Sequence, residues 1–103
     1  MPPRRSSEYR LSPAARRDLD GIWDYTALLW SVEQAETYLR GIADALQTLL
    51  QHPEIARERT EVTPPVRLHR YGSHLIIYRI ADDHLAVVRI VHARQHWQAV
   101  LSD

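Results

Sequence analysis

The chain contains no cysteine. That excludes a disulfide scaffold and any thiolate zinc site, and it fits a reducing compartment. Lysine is absent as well, so all 13 basic residues are arginine. No lysine is available as a Schiff-base former or general base. Every fixed cation is instead a planar fork suited to carboxylate or phosphate. No apolar run approaches the roughly 20 residues that span a bilayer. The opening Met1-Pro2-Pro3-Arg4-Arg5-Ser6-Ser7 has no apolar stretch after its charges, so no secretory signal is expected there. These absences predict a cytoplasmic protein with no membrane partner. An excess of either charge is missing too, with 13 acidic residues against the 13 arginines. Such balance argues against wrapping nucleic acid over the whole surface. A local basic face stays open, without sequence-specific nucleic-acid binding by this chain alone.

What is present fits one domain, as expected for 103 residues. Residues 1–7 are polar and Pro-rich and are expected to form a flexible tail, with residues 8–103 as the single domain. Residues 8–11 alternate, with Tyr9 and Leu11 on one side, and predict a short first strand. Ser12-Pro13 supplies an N-cap and a first-turn proline. Ala15, Leu19, Ile22, Trp23, Thr26 and Leu29 then recur at helical spacing. Asp18 and Asp20 sit toward the end that the helix dipole favours for acids.

Residues 28–31 break the pattern, and Ser31 with Gln34 has the spacing of a capping box. A second stripe, from Ala35 through Tyr38, Leu39, Ile42, Leu46, Leu49 and Leu50, should stop before Pro53. The short loop predicts an antiparallel helical hairpin. A polar connection over residues 53–65 leads to three strands, near residues 66–71, 73–81 and 84–92, joined at Gly72 and at Asp82-Asp83. A short helix is expected over residues 95–101. The predicted class is α+β, in the order β-α-α-β-β-β, with the hairpin packed on one small antiparallel sheet.

The ordered set of motifs is specific. Tyr9-Arg10-Leu11-Ser12-Pro13-Ala14-Ala15 leads to Asp18-Leu19 and Ile22-Trp23-Asp24-Tyr25. Gln34-Ala35-Glu36-Thr37-Tyr38, Pro53, and Arg57, Arg59 and Glu61 follow. Then come Arg67, Gly72-Ser73-His74-Leu75-Ile76-Ile77-Tyr78-Arg79 and Val91-His92-Ala93-Arg94. Over residues 8–97 the chain resembles the ParE branch of the RelE/ParE toxin superfamily, the toxins of type II toxin–antitoxin pairs. The resemblance implies a cytoplasmic bacterial toxin held inactive by a small, partly disordered ParD-like antitoxin. It also implies DNA gyrase as the target of the free form, with no catalytic residue and no cofactor. Trp30-Ser31 stands where such chains often carry a glycine between the helices, which bears on that turn, and Ala56 stands where a glycine often follows the proline.

The superfamily's other branch consists of ribosome-dependent mRNA endonucleases. Such a site needs a base for the 2′-hydroxyl, an acid for the leaving group and cations for the phosphate. Without lysine, and with no tyrosine beyond Tyr78, only His92 and His96 with Arg94 offer that set. The plainer expectation is that His92 bonds a backbone group and His96 is solvated. A member that binds its antitoxin and poisons nothing is the third reading. Three of the histidines invite a metal, but their spacing fits no helical pair and no carboxylate lies nearby in sequence, so no metal is expected.

The candidate target-binding residues are Arg67, His74, Arg79, His92, Arg94 and Trp97. Arg67 and Arg79 either meet across the sheet as a cationic patch or pair with acids such as Glu58 and Glu61. His74 follows a glycine turn, where a satisfied turn histidine is the simpler role. Trp97 beside Arg94 has the composition of an interface anchor, with packing on the sheet as the alternative; Trp23 is expected in the core. An amphipathic antitoxin helix has a groove along the hairpin, and a strand has an open sheet edge. Leu28, Leu29, Trp30, Leu39, Leu46 and Leu50 are the candidate antitoxin contacts, with ordinary core as the alternative for most of them.

Overall fold

The structure is a computed structural model and describes residues 8–102; the tail expected over residues 1–7 lies outside the described residues. The elements are β1 (Tyr9–Leu11), α1 (Pro13–Leu29), α2 (Val32–Gln51), β2 (Glu58–Arg59), β3 (Val66–Tyr71), β4 (His74–Ile80), β5 (Leu85–His92) and α3 (Trp97–Leu101). Both long helices start where their caps predict. Ser12 Oγ accepts the Ala15 N–H at 2.9 Å and donates to the Val88 carbonyl at 2.6 Å, so one hydroxyl caps α1 and pins it to β5. Ser31 Oγ accepts the Gln34 N–H at 3.0 Å. Trp30 closes α1 at φ −120°, and among the described residues no residue other than glycine has positive φ. The two-residue turn therefore has no need of a glycine.

The sheet runs β1-β5-β4-β3-β2. Its last four strands are antiparallel neighbours, and β1 joins the edge of β5 in parallel. Two details differ from the sequence reading. The polar connection contains a two-residue strand, β2, and the sheet is mixed at one edge. Two residues are too few to show alternation, and the direction of β1 depends on a partner strand more than 70 residues away.

Both faces of the sheet are covered, which accounts for the nearly continuous apolar run of β4. On the hairpin side Ile22, Ile42, Leu46, Leu49 and Leu50 pack against Ile76, Tyr78, Leu85, Val87 and Ile90. On the far side Val66, Ile77 and Val91 are covered by Val62, Trp97, Val100 and Leu101. The Tyr78 hydroxyl donates to the Pro53 carbonyl at 2.7 Å, tying the chain after α2 to the central strand. Trp23, expected in the core, is only half-buried. Leu46 and Leu50 are core residues, 2% and 6% exposed; the α2 stripe that carries them faces the sheet, so they present no surface to an antitoxin.

A bulge sets the geometry of the site. Tyr78 pairs with Val87, but Ile77 pairs with Arg89, so Val88 is an extra residue on β5. Strict alternation from Val87 would send Ile90 and His92 to the far face. The added residue reverses the parity. Ile90 enters the hairpin-side core, and His92 lies opposite His74.

Gly41 brings α2 against the Tyr71 ring of β3. A methyl group built there would overlap the phenol of Tyr71. We expect Gly41→Ala to destabilise the fold by about 1–3 kcal/mol despite alanine's better helix propensity, because overpacking outweighs it. Urea unfolding would check this, and unchanged or increased stability would mean that Tyr71 swings clear at little cost.

Candidate functional site

Where the hairpin turn meets the ends of β4 and β5, an open cleft of about 500 Å³ is lined by Tyr25, Thr26, Trp30, Tyr38, His74 and His92, among others. A second hollow of about 430 Å³ shares Tyr25, Thr26, His74 and His92 with it and continues along α1 past Asp18. Helical spacing along α1 brings Tyr25 to this rim. The β5 bulge brings His92.

Tyr38 is the hub. Its hydroxyl accepts the Ser73 N–H at 3.1 Å and lies 2.7 Å from His74 Nδ1. The Tyr71 carbonyl, at 3.3 Å, is the longer alternative for its proton. Gly72, at φ +54°, lets the β3–β4 turn fold beneath the ring; a Cβ there would stand 2.7 Å from the Tyr38 oxygen. The His74 and His92 rings meet edge to face, 5.4 Å between centroids, and Tyr38 and His74 do the same at 5.5 Å. His92 Nδ1 accepts the Arg94 N–H at 3.0 Å, and the His92 N–H is taken by Gln95 Oε1 at 3.1 Å. With the shorter Tyr38 bond donated to His74, both imidazoles use Nδ1 as acceptor and carry their proton on Nε2.

Burial lowers the His74 pKa from the ordinary histidine value, His92 adds to the shift, and Asp18 opposes it. The folded state thus holds His74 neutral at a pH where the unfolded chain has begun to protonate it. Its contribution to stability is full above the unfolded value of about 6.5 and falls away as pH drops below it, toward the lower folded value. Denaturant unfolding between pH 7.5 and pH 5 should therefore show wild-type stability falling more steeply than that of His74→Gln. Parallel curves would remove His74 as the source.

Of the six residues expected to bind a target, the structure brings His74 and His92 together, with exposed Arg94 in the turn just after His92. The other three lie elsewhere. Arg67 is opposite Tyr78 on the hairpin side, donates to the Ala56 carbonyl at 2.6 Å and lies 3.8 Å from Glu58. Arg79 is one residue out of phase with Tyr78 and takes the far face. The cationic patch expected from Arg67 and Arg79 does not form, because successive side chains on a strand point to opposite faces. The acid partner is what Arg67 has. Trp97 packs on the far-side core with Arg59 5.3 Å above its ring, so it is a structural aromatic more than an exposed anchor.

The expected antitoxin contacts divide in the same way. Leu28, Leu29 and Trp30 are exposed at 84%, 55% and 75%, beside exposed Tyr25 and Val32. Leu39 is half-buried against the core, with Leu46 and Leu50 wholly inside it. Sequence reasoning missed Tyr38 and Tyr25 as site residues. The available signal was the hydroxyl of Tyr38 on an apolar stripe, since a buried tyrosine needs a partner. Among the described residues no three His, Asp or Glu side chains gather to hold a metal ion. No described helix is long and apolar enough to cross a membrane.

The chain as a whole has known relatives. Residues 9–97 match the family model described as the ParE toxin of the parDE type II toxin–antitoxin system. Toxin ParE1 of Mycobacterium tuberculosis strain H37Rv is 42% identical over 90 residues, covering 86% of this chain and 92% of that one. Toxin ParE1 of Caulobacter vibrioides is 32% identical over 93 residues, covering 90% and 96%. A solved structure titled as a chromosomal ParDE TA system from P. aeruginosa superposes with a TM-score of 0.71 at 22% identity, covering 84% of this chain and 95% of that one, and so shares the fold. With the family model spanning nearly every described element and curated relatives covered almost end to end, the chain belongs to the ParE toxin family of type II toxin–antitoxin systems.

Proposed function

We propose that this toxin is neutralised by a ParD-like antitoxin docked on the hairpin tip, and that the free form inhibits DNA gyrase by binding in the cytoplasm, without catalysis. The observation that carries the docking reading is the contiguous apolar tip of Tyr25, Leu28, Leu29, Trp30 and Val32, all exposed, with Tyr25 and Trp30 lining the cleft. Contiguous exposed apolar surface of this kind marks an interaction site. An amphipathic antitoxin helix covers the tip with its apolar stripe, and its polar flank reaches His74 and His92. The ParDE title of the structural neighbour supports such a pairing for that protein and, by family, for this one.

The non-catalytic reading rests on chemistry. A general base needs an unshared lone pair within reach of the proton it removes. Tyr38 and the Arg94 amide already engage Nδ1 of His74 and of His92. His96, the other residue of the endonuclease reading, bonds Gln98 at 3.0 Å outside this cluster. Family membership supports the gyrase target, and His74, His92 and Arg94 are the surface offered for it.

The test is a supercoiling assay with purified toxin, DNA gyrase, relaxed plasmid and ATP, scoring cleaved plasmid alongside. Loss of supercoiling or accumulation of cleaved DNA, reversed by the antitoxin, is the expected result. Unaffected gyrase at excess toxin would reject the target. A translation assay with His92→Ala/His96→Ala then separates the endonuclease: loss of message cleavage in that variant would establish catalysis.

A further inference from the structure

On the face of the sheet turned away from the hairpin, Arg79 is set apart from the other partly buried arginines. Arg67 lies 3.8 Å from Glu58, Arg59 lies 3.0 Å from Glu61, and Arg89 meets Asp18 at 2.8 Å. Arg79 forms no ion pair among the described residues, and its Nε is buried without a hydrogen-bond partner. A buried guanidinium N–H without an acceptor is unusual and calls for an explanation.

The surroundings supply one. Arg79 lines a pocket of about 190 Å³ between the β2–β3 connection and the end of α3, with Thr63, Pro64, Gln98, Leu101 and Ser102 around it. Across β4 it also lines a hollow of about 280 Å³ with Arg10 and His84. Among the described residues no acid lines either space. The walls offer hydroxyl and amide donors, an imidazole and two guanidinium groups. Leu101, Val62 and Pro64 make the rest of the smaller pocket apolar.

We propose that Arg79 closes a carboxylate-binding pocket that receives an acidic side chain, or a C-terminal carboxylate, from a partner polypeptide. The guanidinium fork takes such a group with two parallel N–H···O bonds. The volume admits one carboxyl-bearing side chain and excludes a nucleotide. Apolar walls suit the methylenes of glutamate or an adjoining aliphatic residue. A nucleic-acid phosphate is disfavoured because backbone binding needs a row of cations; Arg10, the other guanidinium lining the larger hollow, already lies 3.2 Å from Glu8 and 3.8 Å from Asp83. The pocket lies on the opposite face of the sheet from the cleft and does not depend on the gyrase reading.

The experiment is a two-dimensional NMR titration of the full-length toxin that follows the Arg79 Nε–H signal and the Thr63 and Ser102 amides. The probes are a capped Glu-Leu dipeptide, inorganic phosphate and a short DNA duplex. The expected result is saturable shifts of all three signals with the dipeptide at millimolar concentration, at least tenfold tighter than with phosphate. Arg79→Met should abolish the amide shifts. Should that variant fail to fold, Gln98→Glu provides the second arm: its built-in carboxylate should occupy Arg79 and block the dipeptide. The proposal is overturned if the dipeptide produces no saturable shift at Arg79, if phosphate or DNA binds as tightly, or if Gln98→Glu leaves the titration unchanged.

Discussion

Replacing Asp18 with alanine is expected to cost about 3 kcal/mol of folding stability, a large share of the 5–15 kcal/mol typical of a domain. One carboxylate does three things at the seam between α1 and the edge of β5. It accepts from Arg89 Nε at 2.8 Å, from Arg89 Nη2 at 2.9 Å and from the Ile90 N–H at 2.8 Å. Beyond Val87 the strand β1 no longer pairs with β5, so the edge there is held by side chains of the α1 region, Ser12 on the Val88 carbonyl and Asp18 on the Ile90 amide. The Asp18 side chain is 14% exposed, so solvent replaces little of what alanine removes. Breaking one partner of such a pair costs more than the pair was worth, because the remaining polar groups lose their acceptor.

Asp18→Asn keeps one oxygen for the Ile90 amide and should cost roughly half as much. A thermal melt followed by circular dichroism gives the readout, and a fall of roughly 12–20 °C for the alanine variant is expected for a domain of this size. A loss below about 1 kcal/mol would place the pair among the weak surface bridges. Because Asp18 also borders the hollow that contains His92, the same variant should loosen whatever docks there.

This seam shows where the sequence is legible and where it is not. Ser12-Pro13, Ser31 with Gln34, Gly72 and Pro53 are local signals, and each stop or start they imply lies where the structure has it. Alternation gives the two faces of β3 and of β4, but the register that matches one strand's face to the other's is not local, and the Arg67–Arg79 patch failed there. Asp18 and Arg89 are 71 residues apart, and nothing in either neighbourhood announces the other; Asp18 looked like an acid answering a helix dipole. The site depended on a register event of the same kind. Val88 as an unpaired residue leaves no mark in the run Leu85-Ala86-Val87-Val88-Arg89-Ile90, yet it decides that His92 joins His74. The exposure of the hairpin tip was legible in part. Leu28 and Trp30 fall off the helical stripe and are exposed; Leu29 falls on the stripe and is exposed as well, whereas Leu46 and Leu50 continue theirs and are buried.

The contrast between Trp30 and Leu46 yields the second large prediction. Trp30→Ala is expected to weaken antitoxin binding by about 30- to 300-fold, about 2–3.5 kcal/mol, the range of a tryptophan hot spot. Stability should change by less than about 0.5 kcal/mol, because a side chain 75% exposed contributes little to the fold. Leu46→Ala should do the reverse: about 2–4 kcal/mol of stability lost through a core cavity, with the affinity of the folded fraction kept. The pair separates docking from folding, which either variant alone would not.

The physical case for Trp30 is that it projects from a two-residue turn between capped helices, so little ordering entropy remains to be lost when a partner covers it. Its ring borders the cleft that Tyr38 and His74 floor, giving an aromatic anchor beside hydrogen-bonding groups, the composition of a hot spot. Calorimetric titration of each variant with the cognate antitoxin, beside a melt of each, gives both numbers. Affinity within threefold of wild type for Trp30→Ala would move the antitoxin off the tip. Intact antitoxin binding together with lost gyrase inhibition would assign the tip to the target instead, and His74 and His92 with it.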